Sequence, residues 1–97
     1  MNKVGLLVTV KAQAGKEQAV ADFLASAVEL ARQEELTLTW YAFQIDASTF
    51  GVFDSFAGDE GRDAHLTGEI AKALMAHAAE LLSEAPKIEK IDILSSK

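Results

Sequence analysis

The sequence predicts an α+β fold, helices on one side of an antiparallel sheet, in the order βαββαβ. Two stretches carry apolar residues at helical spacing, four carry the β-branched and aromatic residues that suit strands, and they alternate in that order along 97 residues. A short polar break between the second and third strand runs marks a hairpin.

Val4 to Val10 is a near-continuous apolar run rich in β-branched residues, as in a central strand covered on both faces. Lys11 to Gly15 interrupts it. From Lys16, apolar side chains fall at Val20, Phe23, Leu24, Ala27, Val28 and Ala31, which predicts one amphipathic helix ending near Arg32 or Gln33. Leu36 to Asp46 and Phe50 to Phe56 read as strands joined through the polar Asp46-Ala47-Ser48-Thr49. Asp59 has the chemistry of a helix N-cap, with acidic Glu60 in the first turn. Gly61 and Gly68 weaken the helix that Asp59 opens, so a short helical piece through His65 is expected, then an irregularity near Gly68. A longer helix runs from there to about Leu82, with Ile70, Leu74, Ala78 and Leu81 on its buried stripe. Pro86 cannot continue that helix, and Ile88 to Leu94 supplies a last strand. A right-handed split βαβ arrangement of these elements is a ferredoxin-like sandwich with both helices on one face.

That arrangement leaves one sheet face uncovered, yet the second strand is apolar at both alternations: Leu38, Trp40 and Ala42 on one side, Tyr41, Phe43 and Ile45 on the other. A second copy packing sheet to sheet would cover the surplus, so a homodimer is expected.

Composition bounds the function. The length fits a single domain, residues 1–97, and 49% hydrophobic residues with one proline suit a folded chain. A formal charge of −6 with nine scattered basic residues argues against nucleic acid and against anionic membrane surfaces as partners. Without cysteine there is no disulfide, thiolate nucleophile or iron–sulfur cluster. Gly5 to Val10 is too short for a signal-peptide core, and no apolar run approaches the ~20 residues that span a bilayer. A soluble cytoplasmic protein is the expectation.

Residues 40 to 66 hold most of the aromatic side chains and His65, and a site is expected there. If the hairpin is symmetric about Ala47-Ser48, Tyr41 lies opposite Asp54 and Trp40 opposite Ser55; a bulge near Gly51 would instead set Trp40 beside Asp54. Trp40 combines a large ring with one N–H donor, which suits a wall that stacks on a planar ligand. His65 is the acid–base candidate, since an imidazole exchanges a proton near neutrality. His77 reads as solvated or interfacial. The two histidines are too far apart in sequence to share a metal, and Gly68 interrupts the helix between His65 and Glu69, so no metal site is expected. Asp54, a carboxylate within a strand, reads equally as a ligand-orienting group or a hydrogen-bonded structural one. Glu29, Glu34, Glu35, Glu80, Glu84 and Glu89 read as solvated faces.

The run of strand, Gly15-Lys16-Glu17 lead-in, aromatic strand pair, Ala64-His65-Leu66 and final strand resembles the antibiotic-biosynthesis-monooxygenase-like family of dimeric α+β barrel proteins. The resemblance implies a small phenolic or quinol-like aromatic oxidised by molecular oxygen without metal or flavin. It implies His65 as base or proton relay, Trp40 beside it in the catalytic site, and Phe43, Asp54, Phe56 and Met75 around the substrate. Other relatives imply a non-enzymatic small-molecule-binding or stress-response dimer. The sequence departs from the family pattern at Glu34-Glu35-Leu36, where many members have a Glu-Pro-Gly-like turn, at Asp54 in place of Glu, and around Glu69-Ile70. At that last place, members resembling haem-degrading enzymes have a second histidine, so haem is not expected.

Overall fold

The structure, a computed structural model, describes residues 2–97. Eight elements succeed one another: β1 (Val4–Lys11), α1 (Glu17–Ser26), α2 (Val28–Ala31), β2 (Thr37–Gln44), β3 (Thr49–Phe56), α3 (Asp59–Leu66), α4 (Glu69–Leu81) and β4 (Lys87–Asp92). The four strands form one antiparallel sheet in the order β2-β3-β1-β4, the ferredoxin-like topology. β2 and β4 are its edges, and the sheet does not close into a barrel within one chain. No described helix is long and apolar enough to cross a membrane.

The expected first helix is divided. Ser26 Oγ donates to the Phe23 carbonyl at 2.9 Å, and such back-bonding bends a helix. Ala27 separates the two helices while keeping right-handed dihedrals. The other helical path breaks between Leu66 and Glu69, around Gly68, which adopts an extended ψ ahead of α4. Asp59 is not an N-cap. Gly58 occupies that position, and the Asp59 carboxylate instead meets Arg62 one turn on at 2.8 Å. At the far end of α4, Gln13 donates from Nε2 to the carbonyls of Ala79 and Leu82, both at 2.9 Å, satisfying acceptors that a helix C-terminus leaves open.

The hairpin decides what each strand residue faces. Asp46 Oδ1 accepts from the amides of Ser48 and Thr49, closing a three-residue turn, and Ile45 then pairs with Thr49. An odd loop sets Trp40 opposite Asp54 and Tyr41 opposite Phe53, with no bulge at Gly51. Gly51 stays in register because its bare Cα lies under the Phe43 ring; a Cβ there would sit 2.5 Å from that ring. The ladder slips instead between Thr37 and Thr39, so Leu38 bulges outward and is 45% exposed.

Leu6, Val10, Phe50, Val52 and Phe56 point to the helices and form the core with Val20, Leu24 and Leu82. Across the sheet, Leu7, Phe43, Tyr41 and Phe53 occupy the alternate positions on the uncovered face, where Tyr41 stays 59% exposed and Ile45 61%.

Candidate functional site

His65 sits in the last turn of α3 and is buried against β3. The helix comes close to the strand at Gly61, one turn earlier, where a Cβ would lie 3.1 Å from the Leu36 carbonyl and 3.3 Å from Phe56 Cβ, tight enough that its neighbours would have to give by a few tenths of an ångström. The Phe56 ring, fully buried, stands 5.6 Å from the imidazole and tilted to it.

Both ring nitrogens face carboxylates. Nδ1 donates to Glu34 Oε1 at 2.6 Å, and that oxygen also accepts from Thr37 Oγ at 2.8 Å. Nε2 lies 2.8 Å from Asp54 Oδ2 but off the in-plane direction of a ring N–H. Among the described residues neither Asp54 oxygen has a partner in hydrogen-bond geometry, so the contact acts as an ion pair. Asp54 is wholly buried and Glu34 is 20% exposed, so the line Asp54–His65–Glu34 runs from the interior outward. Burial would lower the imidazole pKa, but the two carboxylates, Asp54 more than Glu34, outweigh it and raise the value to about 8. At neutral pH His65 is therefore an imidazolium, and a relay or fixed positive charge rather than a free base. The ring separates the carboxylates, so the three side chains do not converge on one metal position.

His65 borders two spaces. Inward lies an apolar cavity of about 50 Å³ between sheet and helices, with Val8, Phe23, Leu74 and Ile88 on its wall. Outward lies a pocket of about 440 Å³ bounded by Leu30, Glu34, Leu36, Gly61, Ala64 and Gly68. Only the second is large enough for an aromatic ring.

The structure brings Asp54 and Phe56 to His65. It does not bring Phe43, which lies on the opposite sheet face, or Met75, which is 61% exposed on α4. Trp40 is on the helix-covered face beside Asp54, but its ring packs among Ala27, Ala31 and Ile70, and its buried Nε1 has no partner among the described residues. His77 is exposed and rests edge-on against Phe23. Glu34, expected on a solvated face, is the residue sequence reasoning missed. A single carboxylate beside another, far from His65 in the chain, carries no signal of its own beyond Thr37 one turn later. Arg62 was missed as well: it is buried and donates to the carbonyls of Ile91, at 3.2 Å, and Gly5, tying α3 to β1 and β4.

This topology, a four-stranded antiparallel sheet with its helices on one face, is the antibiotic-biosynthesis-monooxygenase-like fold. A solved antibiotic biosynthesis monooxygenase superposes with a TM-score of 0.81 at 17% identity, over 95% of this chain and 99% of that one. A Pseudomonas aeruginosa protein gives 0.84 at 22% identity, over 98% and 97%. The chain belongs to the same family as a protein of unknown function from Nitrosomonas europaea, 55% identical over 100% of this chain and 94% of that one, TM-score 0.98. No protein-family model and no curated protein matches it.

Proposed function

We propose that the protein is a cofactor-independent monooxygenase that oxidises a small phenolic or quinol-like aromatic with molecular oxygen. The observation that carries this reading is the Asp54–His65–Glu34 line, a buried ion chain ending at a pocket wide enough for an aromatic ring. Burying such a chain is costly unless each charge is matched, which makes it a functional-site candidate. The likeness in fold to a protein named antibiotic biosynthesis monooxygenase points the same way. Deprotonating an electron-rich hydroxyaromatic yields an anion able to pass an electron to oxygen. One oxygen atom then enters the ring and the other leaves as water, its two hydrogens coming from the hydroxyl and the ring carbon. The protein's part is to take the proton, orient the ring and exclude water.

Oxygen uptake with a panel of hydroquinones and naphthols tests this. The expected outcome is substrate-dependent uptake that His65→Gln abolishes while the circular dichroism of the fold is retained. Uptake unchanged in His65→Gln removes the reading. Quinol binding without any uptake assigns a non-enzymatic small-molecule-binding protein instead.

We also propose that a second copy covers the open sheet face, where Tyr41 and Ile45 stand exposed beside Leu7, Phe43 and Phe53. Light scattering at micromolar concentration should give twice 10.4 kDa; a 10.4 kDa species alone refutes it.

A further inference from the structure

We propose that the outer pocket is the substrate site, that Glu34 rather than His65 is the group that takes the substrate proton, and that the pocket admits neutral or cationic hydroxyaromatics and rejects anionic ones. The chemistry rests on the monooxygenase reading; the binding site does not.

Three observations lead there. First, no nitrogen of His65 is free to meet a ligand, since Nδ1 is held by Glu34 and Nε2 faces Asp54. Asp54 is sealed from both solvent and pockets. Glu34 alone in the line has an outward side.

Second, the two Glu34 oxygens are inequivalent. Oε1 already accepts from His65 Nδ1 and Thr37 Oγ, whereas among the described residues no donor is paired with Oε2. Oε2 points toward Gly68, where a Cβ would come within 3.0 Å of it, and Gly68 is part of the pocket wall. A hydroxyl in the pocket can donate to that oxygen at no cost to the ion chain. The step is a plain proton transfer: the O–H bond of the aromatic breaks, the proton passes to Oε2, and the electron pair stays on the aromatic as its anion. His65, still paired with Asp54, keeps Glu34 oriented and leaves a positive charge near the new anion.

Third, the walls select by charge. Leu30, Leu36, Gly61 and Ala64 offer an apolar bed for a ring, while Glu34, Glu35 and Glu69 surround it with carboxylates. The cations nearby are His65, committed to the line, Arg32, bonded to Glu29 at 2.5 Å, and Lys72, 3.8 Å from Glu69 on the exposed side of α4. A ligand that brings its own carboxylate meets like charge.

The experiment is methyl and amide NMR titration under argon with hydroquinone, tyramine and 4-hydroxybenzoate, then oxygen uptake. Hydroquinone and tyramine should shift Leu30, Leu36 and Ala64, with 4-hydroxybenzoate weaker by about tenfold or more. In Glu34→Gln the discrimination against 4-hydroxybenzoate should shrink while hydroquinone still binds. Gly68→Ala, which crowds Oε2, should weaken hydroquinone binding. With any quinol the wild type oxidises, Glu34→Gln should lower uptake by roughly a hundredfold or more, and Glu34→Asp should recover part of it. Shifts confined to Val8, Leu74 and Ile88 would move the site to the inner cavity and overturn the proposal, as would no binding by either neutral or cationic probe. If the wild type oxidises nothing yet the pocket shifts appear, the monooxygenase reading fails and the binding site stands.

Discussion

The two faces of the sheet carry similar aromatic and aliphatic side chains and have opposite fates. On the helix-covered face Leu6, Phe50, Val52 and Phe56 are buried, and among them stands Asp54, a carboxylate with no access to water. On the uncovered face Leu7, Phe43, Tyr41 and Phe53 remain partly or largely exposed, and no charged side chain of β3 is among them. A buried carboxylate lowers stability unless a cation meets it, so the covered face has given up apolar packing at one position for a charge. The difference sets a buried, charge-bearing face against an exposed apolar one, and the proposed chemistry draws on the first while the proposed dimer draws on the second.

Truncation of matched phenylalanines should expose that contrast most strongly. Phe56 is fully buried, packed on His65 and opposite Val4, so Phe56→Ala should cost about 3–5 kcal/mol in urea denaturation. Phe53, three residues away on the other face, should cost about 1 kcal/mol when the same measurement is made at concentrations where the chain is monomeric. Equal losses would mean that the open face is as well packed as the core within one chain.

The ion chain comes next in size. Its imidazole pKa is raised from 6.5 to about 8, and a group protonated more readily in the folded than in the unfolded state stabilises when protonated. The contribution is therefore fully present below pH 6.5 and disappears as pH rises through about 8. Its size is about 2 kcal/mol. Denaturation of wild type and His65→Gln across pH 6 to 9 at fixed ionic strength should show a decline in the wild type that the variant lacks. A parallel response in both proteins would mean that His65 is not held between charges.

How much of this could be read from residues alone depends on the range of each signal. Element order was legible because helical and strand periodicities are local: the strand runs from Val4, Leu36, Phe50 and Ile88 and the break near Gly68 correspond to elements of the fold. Which face Trp40 joins was not legible, because it turns on whether the hairpin loop has an odd or an even number of residues, and Asp46 settles that through two amide hydrogen bonds. A one-residue change there inverts every side chain on β2. His65 and Asp54 could be singled out as unusual for their surroundings. Glu34 could not, since a carboxylate next to Glu35 looks solvated until the fold brings α3 against it. The burial of Arg62 was hidden for the same reason: besides Asp59 one turn earlier, which a surface pair would also show, its acceptors are backbone carbonyls of β1 and the end of β4, which no side-chain pattern announces.

The smallest expected effect on a single chain is the most direct test of the open face. Ile45 is 61% exposed, one residue past the end of β2 where its amide bonds the Thr49 carbonyl, with its side chain on the uncovered side. Within one chain, Ile45→Lys removes almost no packing, so the monomer's stability should change by no more than about 0.5 kcal/mol. In a sheet-to-sheet dimer the same substitution introduces a charge into an apolar contact, which desolvation opposes. Sedimentation velocity should therefore show dissociation at concentrations where the wild type is associated, while denaturation of the dissociated chain stays unchanged. A variant that loses stability as a monomer would show instead that Ile45 packs within its own chain. One that stays associated would place the contact on another surface, because a lysine at this exposed position cannot withdraw from a sheet packed directly over it.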